Sequence, residues 1–367
     1  MPVGGEDPDE NHARRFLDRV ETLTRRFRDS DDNSAAVLQE FDRCWSQVAA
    51  SIRWASSNHA ESVAASEWCI QFAACCDPAG GNSPIDVRCK NGEIRSWNEL
   101  ALAASRQFGW TNNEAGFLYR LASVELAEFN FAPSQQYAEQ ALQSFRLVQE
   151  ERGIATTLDL LGLIAVAKRD YAEAIPYLVE SLATYRSLAL RDEIAFTLSL
   201  IAQSLVGSKD FDSALSFATE ARNIAKEIGN VRTERGALRM MAHALSGLGR
   251  QDDLREICDA ASSTQDIQQS VATSATALGL FDVIRSQGTR SPMTFDLLNS
   301  DLASYRFAGN WNGEAFTLYS LGVGNIQQGD IVSGRAYLQQ ALAVFTRHEH
   351  QLGISFSEKQ LRELGQV

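Results

Sequence analysis

The sequence predicts an all-α fold, an α-solenoid of stacked helical hairpins, from three observations. A pattern returns every 40 residues, apolar residues keep helical spacing inside each copy, and a turn signal recurs at a fixed phase. The clearest copy is residues 155–192, ATTLDLLGLIAVAKRDYAEAIPYLVESLATYRSLALRD. Leu158, Leu161, Ile164, Ala165 and Ala167 recur there at spacings that put most of them along one side of a helix. Asp170 ends that helix and caps a second, with Glu173 completing a capping-box-like pattern. Tyr171, Ala174, Ile175, Leu178 and Leu182 then continue the helical spacing, so the unit is a helical hairpin.

Adding 40 finds the other copies. Small residues at one phase read Ala122, Gly162, Ala202, Ala242 and Gly322, with Asp282 as the exception. A second phase reads Ala101, Ala141, Ser181, Ala221, Ala261 and Ala341, with Asp301 as the exception, and two helices can meet closely at both phases. A third carries Asn130, Asp170, Asp210 and Asp330, each followed by an apolar anchor, Phe131, Tyr171, Phe211 and Ile331, as an N-cap requires. Phe145, Tyr185, Tyr305 and Phe345 come near the end of the second helix. Arg106, Arg146, Arg186, Lys226 and Arg306 occupy the phase just after, where a cation complements the helix macrodipole.

These positions resemble a tetratricopeptide repeat protein, whose signature has small residues at the first two phases and an aromatic after the turn. The usual repeat is about 34 residues long. The longer repeat here is similar to the sensor arms of STAND-class signalling ATPases, which often have proline where this chain has Pro176. The segment 12–55 resembles the junction before their repeats, and the likeness runs over residues 11–364. It implies a right-handed superhelix.

In chain order, residues 1–33 read as an acidic tail and an amphipathic helix on which Phe16, Leu17, Val20, Leu23 and Phe27 form the apolar face. The arginines around it either contact an acidic partner or, more plainly, form a solvated face paired with Asp18 and Glu21. Residues 34–114 hold two helices carrying Trp45, Trp54 and Trp68, then an inserted loop at 77–93 rich in turn formers, then a first hairpin. A long loop of this kind is a candidate contact site. Residues 115–354 read as six repeats, the weakest between 251 and 294, and 355–367 as a capping helix over the last apolar face.

Composition narrows the function classes. With 44% hydrophobic residues in 367, the chain can bury a long continuous core, and a net charge of −13 argues against nucleic acid, whose phosphates call for Lys and Arg. No stretch is apolar and long enough to span a bilayer, and the start MPVGGEDPDE lacks a secretory signal, so the expected location is cytoplasmic with no membrane partner. Cys44, Cys69, Cys75, Cys76, Cys89 and Cys258 then read as reduced thiols.

The motifs of catalysis are missing. No GxxxxGK[ST] string exists, and Gly322, Gly324 and Gly329 miss the spacing of a dinucleotide loop and suit close helix packing. There is no CxxC or HExxH, and the neighbouring side chains of His348-Glu349-His350 point in directions one ion cannot share. Cys75 and Cys76 read as small core residues before they read as a redox pair, and five scattered histidines assemble no Ser-His-Asp grouping. No cofactor and no metal are expected, and the chain reads as a non-enzyme.

First helices of tetratricopeptide arrays turn certain phases inward. The resemblance therefore puts Tyr119, Asp159, Ser199, Arg239, Gly279 and Tyr319 on an inner wall, with Ser123, Leu163, Gln203, His243, Val283 and Val323 one turn on. Its middle is polar. Arg239, His243 and Gln203 can together hold a carboxylate or a polar peptide group, or they are simply solvated groove residues. Two functions follow. One is a non-catalytic adaptor gripping a protein or peptide in the groove. The other, from the STAND likeness, is a sensing arm that binds a small molecule and works with a separate ATPase or effector. Neither partner identity nor oligomeric state is written in the sequence.

Overall fold

The computed structural model describes residues 10–29, 34–76, 83–250, 311–348 and 350–365, with single positions between 252 and 306. Among these no strand occurs. In chain order the first helices are α1 (Glu10–Asp29), α2 (Ser34–Asn58), α3 (Val63–Ala74), the short α4 (Pro84–Arg88), α5 (Asn91–Phe108) and α6 (Thr111–Ala127). Then come α7 (Phe131–Val148), α8 (Glu151–Lys168), α9 (Tyr171–Ser187), α10 (Arg191–Gly207), α11 (Phe211–Ile228) and α12 (Val231–Gly247). The last are α13 (Trp311–Gln327), α14 (Ile331–Arg347) and α15 (Gln351–Leu364). Second helices begin at 131, 171, 211 and 331, the register the sequence predicts. The chain forms two compact units: Met1–Phe129 with Gln269–Val367, and Asn130–Gln268.

The helices break every 20 residues because a two-residue connector recurs. Its first residue is left-handed: Gly109, Phe129, Gln149, Arg169, Ala189, Lys209, Gly229 and Gly249 all have positive φ. From Trp110 to Asn230 the next residue is the N-cap position of the following helix. At Arg169, the Asp170 amide donates to the Ala165 carbonyl at 2.8 Å and the Arg169 amide to Val166 at 2.9 Å, a Schellman pair that satisfies carbonyls the helix end would orphan. Lys209 and Asp210 repeat it on Val206 and Leu205. The Asp170, Asp210, Asn230 and Asp330 side chains accept from the amide three residues on, at 3.1, 3.2, 2.9 and 3.0 Å. Asp210→Ala removes one such cap and is expected to lower the thermal midpoint through a loss of about 1 kcal/mol, read by calorimetry.

Size matching at fixed phases holds the second unit together. A Cβ on Gly162 would lie 2.6 Å from Leu178 Cδ2, so α8 and α9 meet glycine against leucine; one repeat on, α10 and α11 have fully buried Ala202 and Ala218 at the same two phases. Neighbouring repeats interlock through rings. A Cβ on Gly207 would strike the Tyr171 ring at 2.3 Å, and one on Gly247 the Phe211 ring at 2.6 Å. Phe145 covers Gly153 in the same way, and Tyr185 donates its hydroxyl to Thr156 at 3.0 Å. On the outside, Arg146 pairs with Glu180 at 3.4 Å and Arg186 with Glu220 at 2.7 Å. The basic phase thus bridges to the next repeat as well as facing its own helix end. At about half exposure these pairs add little stability.

In the first unit, Val20, Leu23, Leu38, Phe41, Trp68 and Phe72 form the core of the N-terminal helices, and the Trp68 indole donates to the Ala13 carbonyl at 2.8 Å. Arg19 and Arg26 both pair with Glu40 of α2, and the Arg26 hydrogen bond holds that carboxyl below its ordinary value. The partner is tertiary rather than Asp18 or Glu21 because α1 lies along α2. Where the sequence reads as irregular loop, Pro84–Arg88 is helical, started by the Ser83 side chain accepting from the Ile85 amide at 3.1 Å and by proline at the first position. Residues 77–82 of that loop lie outside the described residues.

Cys75 and Cys76 are core members. Burial pushes the Cys69 thiol up to about 12, far from a reactive thiolate. Cys258 lies outside the described residues.

Candidate partner-binding wall

Within the second unit α10 packs against both α8 and α12, so these first helices stand side by side. Their matching phases carry Asp159, then Ser199 and Gln203, then Arg239 and His243. Ser199, Gln203, Arg239 and His243 are half-buried, while their neighbours Leu198, Ile201, Ala202, Leu238 and Met241 lie in the core. Leu163 is also half-buried. The wall is a partly exposed stripe beside a sealed face, as helical periodicity demands.

Asp159 differs from the rest. It is only 6% exposed, and its Oδ2 accepts from Thr197 Oγ1 of α10 at 2.7 Å. Burial raises the carboxyl to about 7, opposed by the hydroxyls of Ser181 and Thr197 and aided by the charge of Glu193. Ser181 acts from outside hydrogen-bond geometry: Asp159 Oδ1 and Ser181 Oγ are both buried without a partner at bonding distance and angle. Near neutral pH this residue is a buried acid poised between its two forms. Sequence reasoning missed Thr197, although Thr157 at the same phase one repeat earlier is fully buried too.

Tyr119 and Tyr319 belong to the first unit and are half-buried. The Ser123 hydroxyl donates to the Tyr119 carbonyl at 3.1 Å, and the Tyr319 ring lies 6.4 Å from that of Phe356. Gly279 and Val283 lie outside the described residues. Among the described residues no group of three or more His, Cys, Asp or Glu is placed to hold a metal, and no helix is long and apolar enough to cross a membrane.

Residues 153–227, which span α8 to α11, match the tetratricopeptide repeat family model. This segment carries tetratricopeptide repeats. The chain is also similar in shape to solved structures. Aspartyl phosphate phosphatase F from Bacillus subtilis is 11% identical, with a TM-score of 0.54 over 94% of this chain and 96% of that one. The Rap conjugation gene regulator of plasmid pLS20, solved with a Phr peptide, is 12% identical, with a TM-score of 0.53 over 93% and 95%. A STAND protein with a tetratricopeptide repeat sensor from Pyrococcus horikoshii is 13% identical, with a TM-score of 0.45 over 96% and 55%. At 11–12% identity the likeness to the first two is one of fold. No curated protein sequence matches the chain.

Proposed function

We propose that the chain is a cytoplasmic, non-catalytic adaptor that grips a protein or peptide segment along the first helices of its second unit. The observation that carries this is the half-buried polar stripe of Ser199, Gln203, Arg239 and His243 on helices that stand side by side. An extended peptide offers backbone amides and carbonyls at short intervals, and a stripe of donors and acceptors one repeat apart suits it better than it suits a compact metabolite. Arg239 is the residue for a carboxylate, because guanidinium donors pair with both its oxygens. The fold matches one solved with a peptide, which supports the same class of ligand.

The test is a peptide array probed with the full chain, followed by calorimetric titration of the peptides that bind. Arg239→Glu and His243→Ala are each expected to weaken acidic peptides about tenfold or more, the size of a lost charge-assisted hydrogen bond, and to leave the helical content unchanged. If both variants bind the same peptides as strongly as the native chain, the ligand does not sit on this wall.

A further inference from the structure

The turn between α14 and α15 carries two histidines whose chemistry the adaptor reading leaves unused. His350 is the N-cap of α15 and is 1% exposed. Its Nδ1 accepts from the Gly353 amide at 3.0 Å. That bond settles the tautomer: Nδ1 carries no proton, so Nε2 does, and it points at the Ala127 carbonyl at the end of α6, 3.3 Å away. The rings of Phe129, Trp311, Phe316 and Phe345 surround it at 5.3–6.4 Å. His348 lies flat on Trp311, centroids 4.5 Å apart and planes 4° from parallel. One imidazole thus ties the C-terminal hairpin to the end of α6 from inside an aromatic cluster, and the second lines that cluster's edge.

We propose that the His348–His350 turn is a pH-sensitive latch, holding the hairpin of α14 and α15 on the end of α6 while both rings are neutral and weakening when they are protonated. A proton on His350 Nδ1 faces the Gly353 N–H, donor against donor, at the positive end of the α15 dipole, so the cap bond is lost. The charged groups around the turn come from several elements. Just past the end of α6, Glu128 Oε2 lies 4.0 Å from His350 Nε2, but its other oxygen is already bonded to Asn91 at 2.7 Å; Glu125, within α6, is paired with Arg95 at 2.8 Å. From α14, Arg347 acts on His348; from the start of α5, Lys90; from α13, Glu314, itself paired with Arg306 at 3.0 Å. Burial, then Arg347 and Lys90, hold the His348 ring below its ordinary value against the pull of Glu314. A base so lowered lends stability above its ordinary value of 6.5, and that stability is lost as the pH falls through the folded-state value. Loss of the Nδ1 cap bond and the lowered His348 ring act in one direction, towards release on acidification.

Hydrogen exchange of the full chain at about pH 7.5 and about pH 5.5, corrected for the intrinsic exchange rate, tests this directly. Segments from α2 and α3, which contain no histidine and lie outside the unit that holds Asp159, serve as the internal reference. Protection of the first turns of α15 is expected to fall about fivefold or more relative to that reference, the size of a lost cap. His350→Asn, which copies the non-titrating cap that Asn230 provides at the same phase three repeats earlier, is expected to show a smaller fall. Unchanged protection in the native chain, or an undiminished fall in His350→Asn, overturns the latch. Should that variant not fold, the histidine ring protons of the native chain must titrate at the midpoint of the protection loss. A separate midpoint overturns it equally.

Discussion

Leu178→Ala is expected to destabilise the second unit by about 3 kcal/mol, and the same substitution made beside Gly162→Ala by about 1 kcal/mol. The argument is steric. Leu178 is fully buried, and its Cγ and Cδ2 fill the space in front of Gly162, at 2.7 and 2.6 Å from where a Cβ would sit. Truncating the leucine opens a cavity. A methyl group on Gly162 instead forces the leucine aside, which costs roughly 1–3 kcal/mol and is partly offset by the better helix propensity of alanine, about 1 kcal/mol. Together the two changes rebuild the pairing that Ala202 and Ala218 already make one repeat later. Chemical denaturation of the four chains measures the coupling; strictly additive losses would mean that the two phases do not sense each other's size.

The second large effect belongs to Asp159. Its carboxyl titrates near 3.8 when unfolded and at about 7 when folded. Between those values the unfolded chain has given up the proton while the folded chain keeps it, so stability falls as the pH rises through this window and the contribution is gone above about 7. At about 1.4 kcal/mol for each pKa unit, the swing is up to roughly 4 kcal/mol. Asp159→Asn keeps an acceptor for the Thr197 hydroxyl and cannot ionise. It is expected to match the native chain near pH 4 and to exceed it in stability near pH 8, by up to roughly 4 kcal/mol. Other carboxylates cancel when the two chains are compared at each pH. A stability difference that does not change with pH would refute the raised value.

Much of the fold is readable from the chain alone because its signals are local. A cap and its amide are three residues apart, and an apolar stripe repeats every turn. The starts of α7, α9, α11 and α14 therefore fall where the aspartate or asparagine phase predicts. The left-handed break is less legible. Phe129, Gln149, Arg169, Ala189 and Lys209 adopt it without being glycine, since the two flanking helices and the Schellman bonds impose the conformation.

By itself, then, the sequence determined the 40-residue register, the hairpin unit and the phases that stack, for these rest on spacing within one or two turns. Tertiary structure alone decided what each polar residue on those phases became. Asp159 and Ser199 occupy the same phase, yet one is sealed against Thr197 and the other stays half-open, because burial depends on the helix that arrives from the next repeat. His350 meets Ala127 across 223 residues of chain, and no local pattern can encode so distant a contact.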